Sequence, residues 1–272
     1  MDQFCLEPKS HHVPPNEIVA DVFFRRMRGS SQCLLIGASD GKVYVLKPTD
    51  STEGSNIAFN ESFGSILAGS LGLPVPRWRP VQMTSTFIRE SKSRFITERA
   101  FDEPRPGLHF GSAFAAGSLD DEVYEIVPER WMERVDNPGF FAGALILDIW
   151  AESVDRRQAF FVRRSGRRVV DSLFFNCAQL FGGLNGNKKQ ENPEMCLYYH
   201  RSIYRGAFRS SQVGEWLSQI EEMDKERLKA LLGGVPREWR NEALDSNAIA
   251  LLLKNQRILR QKAKEISEKI LS

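Results

Sequence analysis

At 272 residues and 42% hydrophobic content, the chain is long enough for one large core or two smaller ones. A formal net charge of +2 over 26% charged residues is close to neutral and gives no reason to expect the broad basic surface that nucleic acid requires. Four widely spaced cysteines with no Cys-x-x-Cys make a zinc site or a disulfide framework unexpected; with no signal-peptide start and no apolar run of membrane-spanning length, the expectation is a soluble, cytoplasmic protein.

Residues 1–18 are polar and carry Pro8, Pro14 and Pro15, which reads as a loosely held arm. From Ile18 the chain turns strand-like. Arg25-Arg26-Met27-Arg28, like the later run Arg163 to Arg168, reads as a solvated turn or strand end. Leu34-Leu35-Ile36 is a short apolar strand, Ser39-Asp40-Gly41-Lys42 a hairpin turn, and Val43-Tyr44-Val45-Leu46-Lys47 the returning strand. After a Ser-, Thr- and Gly-rich loop, Phe59, Phe63, Ile66, Leu67 and Leu71 recur at helical spacing, with Gly72 placed to end the helix. Residues 79–88 and 94–99 read as a further pair of extended segments, and the Pro- and Gly-rich stretch 101–118 as a connection. Beyond it the pattern is mainly helical, over 140–150, 212–232 and 247–271. The expected division is an arm at 1–18, a small β-rich part with one long helix at 19–100, the connection at 101–118, and a mainly helical part at 119–272.

Four segments carry residue types suited to a nucleotide: amides and a cation for phosphates, oxygen ligands for a divalent ion, and a carboxylate near an acceptor. Arg28-Gly29-Ser30-Ser31-Gln32 could let the backbone approach a phosphate, although Gly-Ser-Ser before a strand is usually only a turn. Lys47 is either a snorkelling edge residue or a buried cation whose obvious partner is Glu61 on the following helix. Asp155 and Arg156 follow an apolar helical segment, where a catalytic loop would begin; a helix C-terminus neutralised by Arg156 and Arg157 is the equal alternative. In the fourth segment, an apolar run feeds Asn176 and then Phe181-Gly182-Gly183.

The order of these segments resembles the HipA-like kinases. The resembling phrases are Met27-Arg28-Gly29-Ser30-Ser31-Gln32, Tyr44-Val45-Leu46-Lys47, Asn60-Glu61 opening a helix that ends in Leu71-Gly72-Leu73-Pro74-Val75-Pro76, Gly107-Leu108-His109-Phe110-Gly111-Ser112, Asp155-Arg156-Arg157-Gln158-Ala159, Phe181-Gly182-Gly183 and Val235-Pro236-Arg237-Glu238-Trp239. The resemblance spans roughly residues 20–262. It implies an α+β, two-lobed protein-kinase-like fold holding ATP and Mg²⁺. By that likeness Lys47 would contact the α- and β-phosphates, Glu61 would orient it, and residues 28–32 would cover the phosphates. Asp155 would activate a hydroxyl on a protein or small-molecule acceptor, and the region from Glu98 to Phe101 would line the adenine site.

Two departures stand out. The family's metal-binding aspartate falls on Asn176, which keeps an oxygen ligand but loses a charge. The position of a second ligand, five residues after Asp155, is Phe160, with Gln158 as the candidate substitute. Asp171, five residues upstream of Asn176, would need a five-residue slip in a short hairpin to serve. An active kinase and a pseudokinase that binds nucleotide or a partner are therefore both expected readings.

Overall fold

The computed structural model describes residues 18–27, 33–49, 56–95, 104–116 and 120–271. Strands β1 (Ile18–Arg26), β2 (Leu34–Ala38) and β3 (Val43–Lys47) are followed by helix α1 (Ile57–Ser70), strand β4 (Trp78–Met83), helix α2 (Ser85–Phe95) and strand β5 (Gly107–Ala113). The five strands close into a barrel in the order β1-β2-β3-β5-β4. All contacts are antiparallel except β1 with β4. Alternation explains the closure: Leu34, Ile36, Tyr44 and Leu46 point inward with Phe23, Val81 and Met83, whereas Leu35 and Val45 face outward. At the β2–β3 turn Gly41 takes a φ of 75°, and the Asp40 carboxylate accepts from Lys42 N at 3.1 Å and Tyr44 Oη at 2.8 Å.

Two stretches differ from the sequence reading. Of the extended pair expected over 79–88 and 94–99, the first is strand β4 and then the start of a helix that runs to Phe95; residues 96–99 lie outside the described residues. Thr84 caps that helix by accepting from Phe87 N at 3.1 Å, and Phe87 and Ile88 join the core inside the barrel. Within the stretch read as a connection, β5 pairs with β3 on one side and β4 on the other. Its Gly111 looks like a linker residue but serves close approach. A Cβ on Gly111 would lie 2.6 Å from Val81 Cγ2 and 3.3 Å from Arg79 O.

The second half begins with β6 (Glu122–Tyr124) and α3 (Gly139–Trp150), continues with the hairpin β7 (Gln158–Arg163) and β8 (Asp171–Phe175), and ends in α4 (Ile203–Ala207), α5 (Gln212–Glu221), α6 (Lys225–Leu232) and α7 (Glu242–Leu271). Strands β6, β7 and β8 form one antiparallel sheet. The single helix expected over 212–232 is two, because Asp224 starts a new one by accepting from Arg227 N at 2.7 Å. Helix α3 is the axis of the larger core, with Phe141, Leu145, Ile146 and Trp150 fully buried. Its C-terminus is fixed by a reciprocal tie: Trp150 Nε1 donates to Leu252 O and Asn255 Nδ2 donates to Trp150 O, each at 3.0 Å.

Helix α1 is buried on all sides from Ile57 to Ala68, and it packs with the helical half rather than inside the barrel. Phe63 stacks on Phe181 with centroids 5.4 Å apart. The helix ends where the sequence expected, with Gly72 at a φ of 71°. Among the described residues no helix is long and apolar enough to cross a membrane.

Replacing Gly111 by valine forces a side chain against the buried Val81. Urea denaturation of Gly111→Val should show a loss of about 1–3 kcal/mol, and an unchanged midpoint would show that β5 does not pack this tightly.

Candidate active site

A cleft of about 280 Å³ opens beneath the barrel, with the β7–β8 hairpin and the segment after it as its floor. Two rows of outward-facing barrel residues make the roof. Strand register sets Arg25, Leu35, Val45 and Ser112 in one row. Two residues along, Lys47 sits opposite Phe110, and Met27 N donates to Cys33 O at 2.7 Å. All of these except Leu35 line the cleft.

Lys47 is the buried cation of the two sequence alternatives, 8% exposed and ion-paired with Glu61. Its Nζ also donates to Asn176 Oδ1 at 3.0 Å. Burial, the largest single influence, lowers its pKa, but the charge and hydrogen bond of Glu61 together with Cys33 and Cys177 outweigh it, and the ammonium is held above its ordinary value. Glu61 in turn accepts from Cys177 N and Ala178 N, each at 3.0 Å. One carboxylate thus fixes both the cation of β3 and the backbone beside Asn176.

The preceding residue, Asn60, is equally buried and binds the same segment. Its Nδ2 donates to Ala178 O at 2.7 Å, Leu180 O at 3.1 Å and Gly183 O at 3.3 Å. These carbonyls converge because the segment coils through left-handed backbone, with φ of 66° at Asn176, 56° at Phe181 and 76° at Gly182. The segment is also zipped to the loop after α3. Phe181 N donates to Ala151 O at 2.7 Å, Gly182 N to Glu152 O at 3.2 Å, and Val154 N to Gln179 O at 3.0 Å. That zipper brings Asp155 into the cleft with Asn176.

Arg157, two residues past Asp155, anchors the loop from below. Its guanidinium forms a buried ion pair with Asp148 of α3 and donates to Phe175 O at 3.0 Å. Burial is the largest single influence and opposes its charge, but the Asp148 carboxylate together with Cys177 outweighs it and raises its pKa. Of the two sequence alternatives for this loop, Arg157 alone binds the last turn of α3, through the Asp148 side chain, and Asp155 lines the cleft, its Oδ1 accepting only from Arg156 N at 2.7 Å among the described hydrogen bonds. Burial pushes the neighbouring Cys177 thiol up to about 11.

Gln158 opens β7 opposite Phe175, beside Asn176, and lines the cleft. Phe160 shares its face and stacks on Phe175 with centroids 3.9 Å apart. Asp171 stands at the far end of the hairpin, bonded to Arg164 at 2.9 Å and Arg167 at 3.4 Å. Thus Lys47, Glu61, Asp155, Gln158 and Asn176 meet in one cleft and Asp171 does not. Arg28, Gly29, Ser30, Ser31, Gln32 and Glu98 lie outside the described residues. The sequence reading missed Arg25, Asn60 and Gln179 in this site. Asn60 was visible only as the neighbour of Glu61.

Among the described residues no group of three or more His, Cys, Asp or Glu side chains could hold a metal ion. The oxygen donors lining the cleft near Asp155 are its own carboxylate and the amides of Gln158, Asn176 and Gln179. That set suits a hard divalent ion whose remaining negative ligands are phosphate oxygens, rather than an ion held by protein alone.

No protein-family model and no curated protein sequence matches this chain. Solved structures do. A Helicobacter pylori proinflammatory kinase, CtkA, aligns at a TM-score of 0.52 and 12% identity, over 86% of this chain and 95% of that one. The Golgi casein kinase aligns at 0.56 and 11% identity, over 93% and 74%. Its form with Mn and ADP bound aligns at 0.52 and 10% identity, over 93% and 73%. The chain has a kinase-like α+β fold. In this kinase-like frame the buried Lys47–Glu61 pair joins the barrel to α1, and the zippered segments carry Asp155 and Asn176.

Removing the Asn60 donor takes from the buried Ala178 carbonyl its one described partner and one of two bonds from each of Leu180 O and Gly183 O, which keep a backbone N–H. Asn60→Leu should cost about 1–3 kcal/mol in chemical denaturation, with faster amide exchange concentrated over residues 177–183. Uniformly faster exchange throughout the chain would contradict this local role.

Proposed function

We propose that the protein is a HipA-like, two-lobed kinase that transfers the γ-phosphoryl group of ATP to a hydroxyl on a protein or small molecule. The observation that carries this reading is the junction of Lys47, Glu61 and Asn176 in a cleft that also holds Asp155. Solved kinases sharing the fold, one of them crystallised with Mn and ADP, support it. When bound, Mg-ATP would supply the phosphoryl group and the divalent charge that offsets the phosphates.

The chain's own residues have separable tasks. Lys47, held charged and oriented by Glu61, binds phosphate oxygens from the barrel side. Asn176 and Gln158 present amide oxygens towards a divalent ion accompanying the phosphates. Asp155, whose carboxylate is otherwise engaged only by its neighbour's N–H, accepts the proton of the acceptor hydroxyl as that oxygen attacks phosphorus. Phe160 and Phe175 form an apolar floor, and the chain leaving β5 at Phe114 and Ala115 lines the cleft where the base would lie. Cys33, Cys177 and Cys196 are buried, and the reading places the protein in the cytoplasm.

One observation favours a second reading, a pseudokinase acting as a nucleotide- or partner-binding module. The Asn176 oxygen is already engaged by Lys47, and the cleft carries few carboxylates for a metal.

Thermal shift and phosphoryl transfer with an acceptor panel separate the two. For an active kinase, ATP with Mg²⁺ should raise the melting temperature more than ATP alone, and Asp155→Ala should lower transfer by at least about 100-fold. A shift that ignores the metal, with no transfer to any acceptor, supports the second reading; no shift with any nucleotide rejects the kinase and leaves only the partner-binding form of the second reading. Asn176→Asp should raise Mg²⁺-dependent ATP turnover if the native amide limits metal affinity.

A further inference from the structure

Arg25 is a cleft cation that the functional reading above does not use. It stands near the end of β1, exposed, with its side chain lining the cleft. Alternation by itself would not put it there. Phe23 points into the barrel, so a regular strand would turn Phe24 outward and Arg25 inward. The register shows why this does not happen. Phe23 faces Ile36 and Arg25 faces Leu35, so Phe24 and Arg25 together stand against one residue of β2. That extra residue is a β-bulge, a device that re-aims a side chain beside a site. It turns Arg25 onto the roof row next to the one that carries Lys47.

The charges give this placement a use. The described charged residues lining the cleft are Arg25, Lys47, Glu61, Glu125 and Asp155. Lys47 is matched by Glu61. Arg25 takes part in none of the ion pairs found among the described residues. It is therefore the cleft cation among them whose charge no carboxylate offsets by contact. Its planar fork suits bidentate binding to phosphate oxygens. The amide at Asn176 removes a charge through which a divalent ion would otherwise be held, so a cation acting directly on the phosphates matters more here.

We propose that Arg25 binds the phosphate chain of the nucleotide, as a second cation alongside Lys47. This rests on the nucleotide-binding part of the proposed function and adds a residue to it.

The test is calorimetric titration of wild type, Arg25→Gln and Arg25→Lys with three probes: a non-hydrolysable ATP analogue, adenosine, and inorganic tripolyphosphate. Because Arg25 is exposed and its side chain packs in neither core, Arg25→Gln should melt with the wild type. The expected result is a roughly 10-fold or greater loss of affinity for the ATP analogue in Arg25→Gln, no change for adenosine, and partial recovery in Arg25→Lys. Equal affinity of wild type and Arg25→Gln for the analogue overturns the Arg25 assignment and leaves nucleotide binding standing. Equal losses for adenosine and the analogue also overturn it. If wild type binds tripolyphosphate as tightly as the analogue, ignores adenosine, and loses both anions in Arg25→Gln, the Arg25 site stands and the nucleotide reading falls. If wild type binds none of the three, both fall.

Discussion

A carboxylate that is only 3% exposed has to be charge-compensated and hydrogen-bonded, because leaving it bare in a protein interior costs several kcal/mol. Glu61 meets that demand with three donors from two distant parts of the chain: the Lys47 ammonium from β3 and the amides of Cys177 and Ala178 that follow β8. The barrel roof and the cleft floor are consequently referred to one atom group on α1. A slide of α1 by a single residue would break all three bonds at once. Complete burial of the helix, with Phe63 stacked on Phe181, resists that slide through packing as well.

A second buried pair repeats the principle lower in the molecule. Asp148 and Arg157 tie α3 to the start of the β7–β8 hairpin, and the Trp150–Asn255 exchange holds the same turn of α3 against α7. Between the two ion pairs run the backbone bonds that zip residues 151–154 to 179–182. Asp155 owes its position mainly to this frame, its own carboxylate adding one bond from Arg156 N among the described residues.

How much of this was legible in the sequence depended on whether local chemistry or long-range packing decided each feature. The Asp40-Gly41 turn, the end of α1 at Gly72 and the apolar run of α3 are set locally, and each stands where the sequence placed it. Strand β5 was hidden because its Gly111 answers to Val81 on another strand, and α2 because its cap, Thr84, sits in a segment whose apolar residues also suit a strand. In the cleft, Lys47, Glu61, Asp155, Gln158 and Asn176 were legible through the order of short phrases. Asn60 and Arg25 were not. The first acts on carbonyls gathered by left-handed backbone, and the second faces the cleft through a bulge. Neither feature leaves a periodic trace in one dimension.

The amide at Asn176 bears on how the cleft holds together. Backbone geometry does not select it, since aspartate adopts a φ of 66° about as readily as asparagine. Charge distinguishes the two. Lys47 brings one positive charge and Glu61 one negative, and Asn176 adds a neutral acceptor, so the trio is balanced and fully bonded by protein groups. An aspartate in its place would put a second carboxylate on the same ammonium, and the surplus charge would call for a cation from outside. With the amide, the geometry of roof and floor is complete before any ligand enters. In the proposed reading, preorganisation of the cleft and affinity for a divalent ion, which one carboxylate would couple, become separate properties, the first carried by Glu61 and the second by phosphate oxygens with the amides of Asn176 and Gln158.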